Sequence, residues 1–75
     1  YSIVPFVTMR CFEQLRIDVS YQNLSVFIVG VGSGVMYGPA GPTHHAYEDI
    51  AIIRMLPNFE IHTPCNRASV QKSVS

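Results

Sequence analysis

Charge of either sign is scarce in this chain. Only 13% of the 75 residues are charged, five basic and five acidic, and they stand singly. So few cannot assemble the basic face that binding to nucleic acid or to an anionic membrane requires, so neither partner is expected. Long apolar runs are missing too. None approaches the roughly 18 residues of a spanning helix, and these residues carry no signal-peptide pattern. Cysteine is limited to Cys11 and Cys65, which share no motif spacing. Reduced thiols in a cytoplasmic setting are therefore expected. There is no internal repeat and no low-complexity segment.

Several catalytic signatures are also absent. Gly30, Gly32 and Gly34 follow an apolar run, but a dinucleotide fingerprint needs G-x-G-x-x-G, and Val35 occupies its last position. Gly32-Ser33-Gly34 is one residue too tight on both sides for a nucleophile elbow. His44, His45, His62 and Cys65 do not form a structural zinc spacing, so no metal ligand is assigned in this chain. His62 reads as an ordinary strand residue and Cys65 as a small buried hydrophobe.

What is present is an apolar, alternating chain. Hydrophobic residues make up 48% and mean hydropathy is +0.23. Residues 1–7 are apolar and β-branched, interrupted by Pro5, and predict a strand ending in a turn. Thr8 is placed to cap a following helix over residues 9–22, where Phe12, Leu15 and Val19 form a core-facing stripe. Gln22-Asn23 ends it. Residues 25–31 form a continuous apolar run, which predicts a parallel strand covered on both faces.

A second helix is expected over residues 46–55, with Ala46, Ile50 and Ile53 at helical spacing, Glu48 and Asp49 in its first turn, and Pro57-Asn58 beyond its end. Residues 59–63 alternate and predict another strand. Asn66 is a good N-cap for a last helix over residues 67–74. This order implies an α/β fold, a three-layer α/β/α parallel sheet with right-handed crossovers. A chain of this size buries only about 60% of its unfolded surface, and strands covered on both faces need more layers than it holds. Residues 1–75 are therefore expected to be part of a larger domain.

The stretch that joins the second predicted strand to the second predicted helix is distinctive. Gly38-Pro39-Ala40-Gly41-Pro42-Thr43-His44-His45 combines permissive glycines with prolines that fix φ and remove donors. Such a loop is stiff and specifically shaped. It sets two histidines beyond the carboxyl end of a strand, where open parallel sheets present their binding residues.

Four blocks carry a family resemblance: Phe6-Val7-Thr8-Met9-Arg10-Cys11-Phe12-Glu13-Gln14-Leu15-Arg16, Tyr37 to His45, Glu48-Asp49-Ile50-Ala51, and Arg54-Met55-Leu56-Pro57-Asn58. Together they resemble the pyrimidine-binding domain of transketolases, in particular the split-type C-terminal subunit. Deoxyxylulose-phosphate synthases and 2-oxo acid dehydrogenase β-type subunits share the fold and parts of the pattern. The resemblance implies a thiamine-diphosphate-binding fold, with the cofactor held between two domains of different subunits. It also implies transfer of a two-carbon ketol unit between sugar phosphates. The alternatives are a deoxyxylulose-phosphate-synthase-like or 2-oxo acid dehydrogenase-like subunit, or a non-catalytic remnant kept for subunit association.

Residue by residue, the resemblance assigns Phe6 to stacking on the aminopyrimidine and Arg10 to the cofactor site beside it. It assigns His44 to substrate hydroxyl or phosphate groups, and leaves His45 open. The catalytic glutamate of the family is expected upstream of Tyr1. Mg²⁺ and the diphosphate are expected in a separate diphosphate-binding domain or subunit, within a homodimer or heterotetramer. Two positions depart from the pattern. Ala40 stands where many transketolases carry an acid, and Gly32 where many carry a histidine.

Overall fold

The computed structural model describes residues 1–75. Strand β1 (Ser2–Ile3) leads into a short helix, α1 (Val4–Val7), and after a turn into α2 (Phe12–Gln14). Helix α2 runs on as a π-helical stretch, Leu15–Ser20. Strand β2 (Gly30–Val31), a 3-10 turn (Gly38–Ala40), α3 (Asp49–Ile53) and α4 (Arg67–Val74) follow. β1 and β2 pair in parallel, Ser2 opposite Gly30 and Ile3 opposite Val31. A parallel pair needs a crossover, and α1 and α2 provide it. The predicted α/β character is thus present as a small two-stranded parallel sheet with helices.

The elements are shorter than the sequence pattern predicts. The first strand ends at Ile3, because Pro5 enters α1 in its first turn, where a missing N–H costs nothing. Thr8 does not cap the following helix. Its Oγ1 donates to Val4 O at 2.6 Å, and its N–H bonds the same oxygen at 3.0 Å, closing α1 from its C-terminal end. The helix expected from residue 9 therefore starts at Phe12.

Only Gly30–Val31 of the second predicted strand is paired, and residues 59–63 enter no ladder. A ladder needs a neighbouring backbone, and these residues supply none for either stretch. Ala46 lies outside α3. Its N–H instead bonds Gly34 O at 2.8 Å in an isolated antiparallel bridge.

Helix ends follow the sequence closely. Asn23 adopts φ 52°, Leu24 N–H reaches Val19 O at 3.1 Å, and Asn23 N–H reaches Ser20 O at 3.0 Å. That pair of bonds is the Schellman closure, for which asparagine is one of the few suitable residues. At α4, Asn66 Oδ1 accepts from Ser69 N–H at 2.9 Å while Ser69 Oγ accepts from Asn66 N–H at 3.0 Å. The two residues satisfy each other's orphan donors, as a capping box does.

Leu15, Ile53 and Leu56 form the core, with Phe12, Val19, Ile28 and Phe59 packed against them. The predicted stripe on α2 does face inward. Much apolar surface does not: Leu24, Val26, Phe27, Val29, Ile61, Val70 and Val74 are all exposed. Contiguous apolar exposure of this kind marks a surface that another element covers.

One polar tie spans the core. Ser20 is 1% exposed, its Oγ donates to Pro57 O, and its carbonyl accepts from Asn58 Nδ2 at 3.1 Å. The end of the π-helical stretch is thereby fastened to the turn after α3. Ser20→Ala should destabilise the full-length protein by about 0.5–1.5 kcal/mol, near the net worth of one hydrogen bond, because water can reach the exposed Pro57 carbonyl. Urea unfolding of the two proteins measures the difference.

Candidate functional site

Phe6 lies in α1, directly after β1, and is half-buried. The chain then turns so that Arg10 N–H bonds Pro5 O at 3.1 Å. That turn carries the exposed Arg10 side chain back over Phe6, with Cζ 4.1 Å from the ring centroid. A guanidinium over an aromatic face is attracted by the ring quadrupole. One face of Phe6 is thus covered by positive charge.

His44 arrives from the Gly-Pro loop. Gly41 turns with φ 81°, and His44 N–H bonds Gly41 O at 3.0 Å. Thr43 Oγ1 lies 2.9 Å from His44 Nδ1, so Nε2 is the nitrogen left for another partner. The imidazole sits edge-on to Phe6, ring centroids 5.1 Å apart at 70°. The structure therefore brings Phe6, Arg10 and His44 to one place, from two stretches far apart in the chain.

Tyr37 completes the group, and neither motif nor spacing marks it in the sequence. Its ring meets His44 at 5.8 Å and 63°. The only local signal is an aromatic heading a loop otherwise made of glycine and proline. Gly32, directly after β2, is buried at φ 84°, and a Cβ built on it would fall 2.0 Å from Tyr37 Cε2. The tyrosine ring thus occupies the space beside a residue that can only be glycine.

His45 points to a different duty, its Nε2 lying 3.1 Å from Gly38 O and its ring edge-on to Tyr47 at 5.9 Å. It closes the loop upon itself. Ala40 is exposed on the 3-10 turn. His62 pairs with Glu60 at 3.0 Å, and no group of three or more His, Cys, Asp or Glu side chains gathers to hold a metal ion. Cys65 is an exposed free thiol, not the buried hydrophobe that the sequence suggests, because residues 59–65 have no covering layer. A large apolar hollow lies elsewhere, lined by Leu24, Phe27, Ile61, Val70 and Val74, and includes neither Phe6, Arg10 nor His44.

A short parallel sheet whose loops carry an aromatic, an arginine and a histidine is the arrangement of a cofactor-binding α/β domain. The chain belongs to the family described as the pyrimidine-binding domain of transketolase, which it matches over residues 3–75. It is similar to a subunit of the apulose-4-phosphate transketolase of Phocaeicola vulgatus, 41% identical over 92% of this chain and 22% of that protein. The same-named subunit of Actinobacillus succinogenes is 42% identical over 84% of this chain and 20% of that protein. The 1-deoxy-D-xylulose-5-phosphate synthase of Microcystis aeruginosa is 40% identical over 97% of this chain and 11% of that protein. The chain thus spans about a fifth or less of these relatives' length. No solved structure matches. The family is enzymatic, and its transketolase and synthase members use thiamine diphosphate.

The Arg10–Phe6 contact has a measurable signature. A double-mutant cycle with Arg10→Met and Phe6→Leu should give a stability coupling of about 0.5–1 kcal/mol in the full-length protein, the range for an exposed cation–π pair. A coupling indistinguishable from zero would mean the two side chains act independently.

Proposed function

We propose that this chain is part of a thiamine-diphosphate-dependent, transketolase-like enzyme that transfers a two-carbon ketol unit between sugar phosphates. The observation that carries the reading is the convergence of Phe6, Arg10 and His44 on one site. The residues fit the cofactor's pyrimidine. Phe6 offers a half-buried aromatic face opposite the one that Arg10 covers, and a flat heteroaromatic stacks well on such a face. Arg10 holds the ring from behind and supplies donors at the rim of the site.

When bound, thiamine diphosphate supplies the nucleophilic carbon that takes up and hands on the two-carbon unit. The chain's own contribution is orientation. With the Thr43 hydroxyl donating to Nδ1, the His44 proton resides on Nε2, from which it donates to a substrate hydroxyl or phosphate oxygen. The loop is stiffened by Pro39 and Pro42, so little entropy remains to be lost when that bond forms.

Residues 1–75 form part of a larger pyrimidine domain in this reading. The exposed apolar residues from Leu24 to Val29, with Ile61, Val70 and Val74, are where further strands and helices complete three layers. Mg²⁺ and the diphosphate are held by a separate domain or subunit, in a homodimer or heterotetramer, as the subunit naming of two relatives suggests. The similarity to deoxyxylulose-phosphate synthases over nearly the whole chain supports a second reading, a synthase of that type.

Two substitutions in the full-length protein separate the roles. Phe6→Ala should weaken thiamine diphosphate binding severalfold, from loss of a stacking term of ~0.5–1.5 kcal/mol, as read by calorimetry. A folded variant with unchanged affinity would leave Phe6 as packing alone. His44→Ala should lower kcat/KM by roughly ten- to hundredfold, equivalent to a hydrogen bond to a charged group, with cofactor affinity unchanged. Apulose 4-phosphate is the first ketose phosphate to assay. Equal kcat/KM in variant and wild type would make His44 a loop residue, and formation of 1-deoxy-D-xylulose 5-phosphate in place of ketol transfer would select the synthase.

A further inference from the structure

We propose that Tyr37 is a positioning residue for His44, held in place by the absence of a side chain at Gly32. The proposal rests on the reading of His44 as a substrate-binding residue. Two aromatic rings approach the imidazole edge-on, Phe6 at 5.1 Å and Tyr37 at 5.8 Å. Each is anchored beside the same small sheet. Phe6 belongs to α1, which begins where β1 ends. Tyr37 rests against Gly32, the residue after β2. The paired strands thus set both rings, and the rings set the imidazole.

The Gly32 contact is the decisive part. A Cβ there would lie 2.0 Å from Cε2, 2.7 Å from Cδ2 and 3.0 Å from Cζ of Tyr37. No relaxation of a stiff two-torsion side chain absorbs overlaps of that size, so any side chain at position 32 evicts the ring. The imidazole then loses one of its two aromatic neighbours and can rotate about its own χ angles. Its backbone remains fixed by the bond from His44 N–H to Gly41 O, and Nδ1 remains near Thr43. Losing Tyr37 therefore loosens the direction of Nε2 without removing the histidine. A tyrosine that merely filled space would change stability and leave the imidazole where it is.

Selective ¹³C-histidine labelling of the full-length protein reads this directly, because the ring current of Tyr37 falls on the His44 Cε1–Hε1 resonance, which His44→Gln assigns. Tyr37→Phe should leave the peak in place. Tyr37→Ala and Gly32→Ala should each shift and broaden it. If Gly32→Ala does not fold, the Tyr37→Phe and Tyr37→Ala pair decides alone. With a ketose phosphate donor, Tyr37→Ala should lower kcat/KM roughly three- to tenfold while thiamine diphosphate affinity holds, and Tyr37→Phe should restore it. The Gly32→Ala/Tyr37→Ala double variant should be no worse than either single one, since both remove the same contact.

A His44 peak unmoved by Tyr37→Ala overturns the positioning role, whatever His44 itself does. A peak that moves while His44→Ala retains wild-type kcat/KM overturns the substrate role of His44, and with it the functional half of this proposal.

Discussion

The edge-on contact of His44 with Phe6 and Tyr37 ties together three segments that have little else in common. Phe6 comes from the first helical turn, Tyr37 from the loop after β2, and His44 from the far side of the Gly-Pro turn. A single aromatic pair of this kind contributes only about 0.5–1.5 kcal/mol beyond its buried area. It is effective here because the segments are already stiff: Pro5, Pro39 and Pro42 restrict φ on both sides of the cluster. Arg10 then closes the outer face of Phe6. The only flat apolar face left for a ligand is on the other side.

The rest of the chain gives this cluster modest support. Eight of 75 residues are buried, and the core proper is Leu15, Ile53 and Leu56. Burial on that scale offsets little of the conformational entropy that ordering the chain costs. The two-stranded sheet is equally minimal. Both facts agree with the open apolar face at Leu24 to Val29 and along α4, which needs covering before the cofactor site can be rigid. Packing and function are coupled through this dependence.

Two departures from the family pattern gain a physical setting. Ala40 lies exposed on the 3-10 turn, so the loop there presents no carboxylate. Gly32 stands where many transketolases carry a histidine, and in this chain any side chain at that position collides with Tyr37. A histidine at 32 and the observed place of Tyr37 are mutually exclusive. The chain therefore builds the wall beside His44 from a loop tyrosine.

By itself, the sequence determined the features that depend on neighbours along the chain. The inward stripe of Phe12, Leu15 and Val19, the helix end at Asn23, the cap at Asn66 and the stiff Gly38 to Thr43 loop were all legible, because periodicity, φ preference and side-chain capping act within a few residues. Family likeness added Phe6, Arg10 and His44 as members of one site, although their roles rest on that likeness and not on spacing. Tertiary structure alone decided that these three meet, that Tyr37 joins them, and that Gly32 makes room for it. It also decided where strands stop. Pairing and ring contacts depend on segments distant in sequence, and a residue's pattern of neighbours along the chain does not say which of those segments will arrive beside it.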